Sequence, residues 1–150
     1  MTRAPRLLVA ALLLSASHLD ASGIPPRPSD ALVHDLTGSL GPASVADLER
    51  RADAVLRAGA DVAVLVRFDR ADSDETRSDA RRLLGEWGVE SAPERADGVA
   101  LVVNLREGDS RHGSAAIEVG KGLARDRLPS REVDRIWRDA MRPSLREGRV

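Results

Sequence analysis

The sequence predicts an α/β fold in which helices cover a small mixed β-sheet. Two strongly apolar runs, residues 61–68 and 99–105, are typical of central strands that are buried on both faces. A segment with helical spacing of apolar residues separates them, which favours a right-handed parallel strand–helix–strand unit. A third strand at 115–119 follows closely enough to form a hairpin, and this antiparallel pair makes the sheet mixed.

The first residues of the chain are predicted to be a secretory signal peptide. Arg3 and Arg6 precede the apolar run 7–14, and small residues follow it, which is the usual order in such a peptide. The run is too short to cross a membrane, which takes about 20 apolar residues. Cleavage after Ser17 and cleavage after Gly23 both fit the preference for small residues.

The 150 residues have room for one domain. We predict a signal peptide over 1–23, an extended proline-rich linker over 24–30 that does not pack, and a domain over 31–150. The mature protein is expected outside the cytoplasm, either periplasmic or secreted.

Three helices are predicted from capping residues and apolar spacing. Ser44 is the expected N-cap of the first helix, which ends at Gly59. Asp72 and the acidic residues after it suit the start of the second helix, which ends at Gly88. Ser130 is the expected N-cap of the last helix. Its predicted apolar face consists of Val133, Ile136, Trp137, Ala140 and Met141.

The remaining segments are predicted as turns and loops. Residues 107–113 are expected to form a polar loop within the hairpin. Gly120 and Gly122 flank Lys121 where a strand ends, and we expect the chain to turn there through positive φ. Pro143 lacks an amide hydrogen and should end or kink the last helix.

Composition and charge exclude several classes of function. The formal net charge is −1, which does not suit a nucleic-acid-binding surface. The chain has no cysteine, so disulfides and thiol chemistry are excluded. Its three histidines, His34 among them, lack the spacing of a metal site and are expected to be solvated or capping.

Three carboxylates at the ends of predicted elements are candidate metal ligands. Asp35 precedes the first turn, Asp97 precedes a central strand, and Glu118 lies near the end of the third strand. Gathered around one cavity, they would offer oxygen ligands for Ca²⁺ or another divalent cation, which could activate water. Each also has a plain structural alternative: Asp35 could cap a turn, Asp97 could form an Asp-Gly turn, and Glu118 could face solvent.

The order and spacing of six short motifs resemble the TPM domain family, also called TPM phosphatase. Among them are Glu86-Trp87-Gly88-Val89 and Gly120-Lys121-Gly122-Leu123. The six motifs lie at residues 33–40, 63–66, 86–89, 97–103, 117–123 and 143–148. The resemblance implies a three-layer α/β/α sandwich outside the cytoplasm with an acidic metal-binding cavity. It also implies either acid phosphatase activity, attributed to a plant member, or a role as an accessory factor of membrane complexes.

The chain departs from the family pattern at polar positions. Glu90 replaces the second glycine of Trp-Gly-x-Gly, and Ala96-Asp97-Gly98 replaces Asp-Asn-Gly. Lys121 replaces a tyrosine and Ala124 replaces a glutamate, for which Asp126 could compensate. These differences favour a binding or accessory module of the cell envelope with a degenerate metal site and an envelope or membrane-protein partner. The alternative is a divalent-metal-assisted acid phosphatase of low specificity.

Overall fold

The computed structural model describes residues 24–92 and 94–143, apart from the side chains at positions 110, 111, 126 and 140. The predicted signal peptide, residues 1–23, lies outside the described residues. The side chain of Asp126, which was expected to compensate for the glutamate replaced by Ala124, is also not described. The four strands are β1 (Val33–Asp35), β2 (Val62–Phe68), β3 (Val99–Arg106) and β4 (Asp109–Val119). The helices are α1 (Pro42–Arg57), α2 (Ser73–Glu86), α3 (Lys121–Asp126) and α4 (Ser130–Ile136), and a π-helical segment, Trp137–Met141, follows α4.

The strands form one mixed sheet in the order β1-β2-β3-β4. β1, β2 and β3 are parallel, and β4 returns antiparallel to β3. The predicted parallel unit and the hairpin are therefore confirmed, and so is the α/β fold class. β1 was not predicted as a strand, because three residues are too few to show an alternating pattern.

The two faces of the sheet pack against different helices. Residues on one face, such as Leu65 and Val102, pack with Ala80 and Leu83 of α2. On the other face, Val64, Val66 and Val103 lie against Val45 and Leu48 of α1. Because β2 and β3 alternate between these two layers, both strands are almost entirely apolar.

The two crossover connections have opposite hands. Both move in the same direction across the sheet, from β1 to β2 and from β2 to β3. They nevertheless place α1 and α2 on opposite faces. One of them is therefore a left-handed crossover, which is rare among parallel strand connections.

Several boundaries differ from the sequence prediction. α1 begins at Pro42 with Gly41 as N-cap, so the prediction of Ser44 as N-cap is wrong. Proline suits the first helical position, where no amide hydrogen is needed. Ser130 is the first residue of α4, and its N-cap is Pro129. The capping box between Asp72 and Glu75 confirms the predicted start of α2.

The predicted loop at 107–113 is mostly strand. β4 begins at Asp109, directly after a turn in which Gly108 has φ +76°. Arg106 pairs with Asp109 beside the turn, and regular pairing resumes at Leu105 and Gly113 after a register shift between Leu105 and Arg106.

The predicted apolar face of the last helix is not a buried face. Among the residues described in α4, none is buried, and Ile136 is 36% exposed. Of the five predicted residues, the side chain of Ala140 is not described.

Three glycines let the α2–β3 loop pack directly on neighbouring backbone. A Cβ at Gly98 would lie 1.7 Å from the carbonyl oxygen of Val89, and one at Gly120 would lie 2.1 Å from that of Ala96. At Gly122 the distance to the carbonyl oxygen of Arg95 would be 2.1 Å. Gly120 has φ −59°, so the expectation of a turn through positive φ at Gly120-Lys121-Gly122 is wrong. These glycines are needed for close approach, and α3 begins there.

The segment predicted as an unpacked linker covers the core. Ile24 is 4% exposed and belongs to the core on the α2 face. The indole Nε1 of Trp87 donates to the Pro25 carbonyl at 2.8 Å, and Arg27 donates to the Trp87 carbonyl. The expectation that residues 24–30 do not pack is therefore wrong, because Trp87 needs both apolar cover and a hydrogen-bond acceptor.

His34 is buried, which corrects the expectation of a solvated or capping histidine. Its ring meets Trp87 edge-to-face with 4.8 Å between ring centroids. Burial is the main cause that lowers the pKa of His34, so the neutral imidazole is favoured inside the core.

We expect Gly98→Ala to lower the free energy of unfolding by about 1–3 kcal/mol, because the new methyl group overlaps the Val89 carbonyl. The matched control is Gly85→Ala in α2, where a Cβ meets nothing within 4 Å. Alanine there should raise stability by up to about 1 kcal/mol, since glycine is a poor helix former. Urea unfolding measures both, and equal stability of the two variants would contradict the close-packing argument.

We expect Ile24→Ala to lower the free energy of unfolding by about 2–5 kcal/mol, as for other buried isoleucines. Pro26→Ala is the control, because Pro26 is exposed and its replacement should change stability by less than about 0.5 kcal/mol. Thermal and urea unfolding give both values. If Ile24→Ala had no larger effect than the control, the segment would not belong to the core.

Candidate functional site

Asp35 at the end of β1 holds the following turn together. Its Oδ1 accepts hydrogen bonds from the Thr37 amide (2.9 Å), the Thr37 hydroxyl (2.6 Å) and the Gly38 amide (3.0 Å). Its Oδ2 accepts from the Leu40 amide at 2.7 Å. Burial raises the pKa of Asp35, but these hydrogen bonds outweigh it and hold the pKa below its usual value. Asp35 therefore caps this turn, which was the structural alternative to its role as a metal ligand.

Asp97 at the start of β3 fixes the α2–β3 loop. Its Oδ1 accepts from the Ser91 amide at 2.8 Å, and its Oδ2 accepts from the Ser91 hydroxyl. The bond from the Ser91 side chain is the main cause that lowers the pKa of Asp97. Glu90 closes the same loop by accepting from the Ala96 amide at 3.1 Å. Glu90 and Asp97, two of the positions at which the chain departs from the family pattern, therefore lie in one loop. Both side chains bind backbone amides of that loop.

Glu118 on β4 pairs with two arginines of α2. Its Oε1 lies 3.2 Å from Nη2 of Arg81 and 3.8 Å from Nε of Arg77. The two arginines are four residues apart, so they project from the same side of the helix. Neither arginine was predicted as a partner, because only the acidic residues at the start of this helix were considered, although the spacing of four was visible in the sequence.

The structure does not bring the three candidate ligands together. Asp35 is the register partner of Val66 on β2, and Val66 is the register partner of Val103 on β3. Asp97 precedes Val103 by six residues and lies just before the start of β3. At about 3.3 Å per residue, Asp35 and Asp97 lie about 20 Å apart along the strands, at opposite ends of the sheet. One Ca²⁺ needs its oxygen ligands within about 2.6 Å, so these two carboxylates cannot share an ion. Within residues 24–92 and 94–143, no group of three or more His, Asp or Glu side chains is arranged to hold a metal ion.

A cavity of about 330 Å³ lies between β4 and the helices α2, α3 and α4. Its charged and polar lining consists of Arg77, Arg81, Glu118, Asp134 and Ser130. Ala124 lines it at the position where the family pattern has a glutamate. The cavity is therefore bordered by two guanidinium groups and two carboxylates. Its remaining walls are apolar and formed by Ile117, Val119, Leu128 and Val133.

A second polar cluster is buried at the carboxyl ends of β2 and β3. Arg67 is 7% exposed, and its Nε donates to Oδ1 of Asn104 at 2.8 Å. Nη2 of Arg67 pairs with Asp79 and, at 2.8 Å, with Asp69. Asn104 in turn donates to the Thr76 hydroxyl at 2.9 Å. In the sequence, Arg67 is one position of the apolar run 61–68, and nothing in that run indicates its buried partners. Buried charges of this kind are stable only when they are paired, so the cluster ties α2 to the sheet.

The fold and these clusters define a three-layer α/β domain with a small polar cavity at one edge of its sheet. Comparison with known proteins gives its family. The TPM domain profile matches residues 33–150, and the chain belongs to the TPM domain family. A similar solved structure is the solution NMR structure of the N-terminal domain of a protein from P. gingivalis. It shares 30% sequence identity and a TM-score of 0.55, over 79% of this chain and 71% of the other. No curated protein matches this chain.

The metal cavity implied by the family resemblance does not fit the residues present. The amides and hydroxyl that bind Asp35 and Asp97 already use both oxygens of each carboxylate. Glu118 faces two guanidinium groups, which repel a cation.

In the part of the chain that the structure describes, no helix is long and apolar enough to span a membrane.

We expect Asp35→Asn to lower the free energy of unfolding at pH 7 by about 1–2 kcal/mol, because it removes a charged acceptor from four hydrogen bonds. The pKa of Asp35 is lower in the folded chain than in the unfolded chain. Its contribution is therefore complete above the unfolded value of about 3.9 and is lost as the pH falls through the folded value.

The measurement is the difference in unfolding free energy between the wild type and Asp35→Asn from pH 7 to pH 2. That difference should shrink as the pH falls below about 4. The exposed Asp30 supplies the control Asp30→Asn, for which we expect no difference across this range. A pH-independent effect of Asp35→Asn would show that its charge is not what the turn uses.

Proposed function

We propose that this chain is an exported binding module of the cell envelope, accessory to an envelope or membrane protein, and not a metal-dependent phosphatase. The observation that supports this most directly is that all three candidate ligands already bind other groups of the protein. Asp35 and Asp97 bind the backbone of their own turns, and Glu118 binds Arg77 and Arg81. A domain that uses its acids in this way keeps the TPM fold and gives up the oxygen ligands on which metal-assisted hydrolysis depends.

The location outside the cytoplasm rests on the order of residues at the start of the chain. A basic pair, an apolar run too short to span a membrane, and small residues are the features of an exported protein. The lack of cysteine means that an exported domain of this sequence depends on its core for stability. The core on both faces of the sheet is consistent with that requirement.

The degenerate metal site is tested by thermal unfolding with and without millimolar Ca²⁺. We expect an unchanged melting temperature, because Asp35 and Asp97 bind their own turns and Glu118 pairs with two arginines. A bound ligand at about 100 times its dissociation constant would add about 2.7 kcal/mol of stability. NaCl at matched ionic strength is the control for screening of surface charges.

Turnover of a generic phosphate ester separates this proposal from the phosphatase alternative. We expect no turnover above the buffer rate with Ca²⁺, Mg²⁺ or chelator present. Metal-dependent turnover by the wild type that is lost in Asp97→Asn would establish the phosphatase in place of the binding module. The Asp97→Asn protein must retain its cooperative unfolding for that comparison to count, since Asp97 also fixes the α2–β3 loop.

A further inference from the structure

Strand β4 presents an unpaired edge. It is the last strand of the sheet, and no other strand pairs with its outer side among residues 24–92 and 94–143. The Gly120 amide donates to the Gly98 carbonyl at 2.8 Å, which fixes the alternation of the antiparallel ladder. Glu118 and Ala116 therefore bond to β3, whereas the amide and carbonyl groups of Ala115, Ile117 and Val119 point outward.

Among the described residues, none pairs with the outward backbone groups of this edge. Ala115, Ile117 and Val119 are only half-buried, so the helices do not cover them fully. The 330 Å³ cavity separates the end of the edge from α4, whose Val133 forms part of the far wall. In the described part of the chain, the space beside β4 is thus bordered by outward-pointing backbone groups on one side and by apolar side chains around it, which is the arrangement used in strand addition.

The charges beside this edge favour an acidic partner. Arg77 and Arg81 expose 58% and 64% of their side chains and share the single carboxylate of Glu118. They lie on the α2 face of the sheet, where alternate residues of an added strand would project. Asp134 lies on the α4 wall and is the other acid in the cavity lining. Alternate residues on the opposite face would meet Ile117 and Val119, which are apolar.

We propose that the outer edge of β4 binds an extended peptide segment of an envelope partner, in which acidic and apolar residues alternate, by adding it to the sheet as a fifth strand. This rests on the proposed function as a binding module and names the kind of partner. A second copy of the chain is the competing occupant. Pairing of β4 with β4 around a two-fold axis brings two copies of the Arg77–Arg81 pair to one interface, which is unfavourable.

The probe is a fluorescein-labelled octapeptide of alternating glutamate and valine, with both ends blocked. Two matched peptides serve as controls: one with lysine in place of glutamate, and one with N-methyl groups on alternate amides, which cannot pair with an edge. We expect the glutamate peptide to bind at least about tenfold more tightly than either control. Amide hydrogen exchange should slow at Ala115, Ile117 and Val119 in its complex.

Two kinds of variant locate the site. Arg77→Gln combined with Arg81→Gln should weaken binding about tenfold. The matched pair Arg50→Gln and Arg51→Gln on α1, which are somewhat more exposed and share Asp47, should leave it unchanged. Ile117→Pro removes an outward amide and so spares the β3–β4 ladder, because proline is tolerated on edge strands. It should abolish strand addition while cooperative unfolding is retained, and the arginine variants decide the matter if it does not fold.

Several results would overturn this proposal. They are no binding of the glutamate peptide at about 1 mM, equal binding of all three peptides, or slowed exchange away from β4. Slowed exchange on β4 without peptide, together with a concentration-dependent dimer by light scattering, would assign the edge to a second copy. Metal-dependent phosphatase turnover, by contrast, would overturn the proposed function, so the two failures are distinguishable.

Discussion

The rest of the domain depends on direct backbone contact between the α2–β3 loop and the segment that joins β4 to α3. Gly98, Gly120 and Gly122 allow it, because any side chain at these positions would overlap a carbonyl oxygen of the loop. Two hydrogen bonds cross the contact, from the Gly120 amide to the Gly98 carbonyl and from the Gly122 amide to the Ala96 carbonyl. This contact fixes the start of α3 beside the start of β3, and with it the wall of the cavity that α3 forms. Within the same loop, Asp97 accepts from the Ser91 amide and Glu90 accepts from the Ala96 amide, so side-chain hydrogen bonds reinforce the backbone contact.

Much of the fold could be predicted because its signals are local. The apolar runs of β2 and β3 and the capping box at Asp72 depend on neighbours in the sequence, and the structure confirms them. Features set by contacts distant in sequence could not be predicted. Ile24 looks like part of a proline-rich linker, and only the position of Trp87 makes it core. The short strand β1 likewise depends on β2, and its amides at Leu32 and Val33 bind Glu49 of α1.

The candidate site was harder to predict than the fold for a physical reason. A carboxylate near a strand end suits a metal and a turn equally well, and the sequence does not show which donors reach it first. At Asp35 and Asp97 those donors are amides and hydroxyls within six residues, so local capping wins. Glu118 was singled out as a candidate ligand with exposure to solvent as its alternative, and its side chain instead pairs with two arginines. Its partners Arg77 and Arg81 lie on another element, and the ion pair is visible only once α2 crosses β4.

The cover that Ile24 and Pro25 form over Trp87 makes the stability of the domain sensitive to where the chain is cut. A protease that cuts before residue 24 leaves the domain whole, whereas one that cuts two or three residues later removes both the apolar lid and the indole's hydrogen-bond acceptor. A difference of two or three residues in the cut site therefore separates a chain that keeps this cover over Trp87 from one that lacks it.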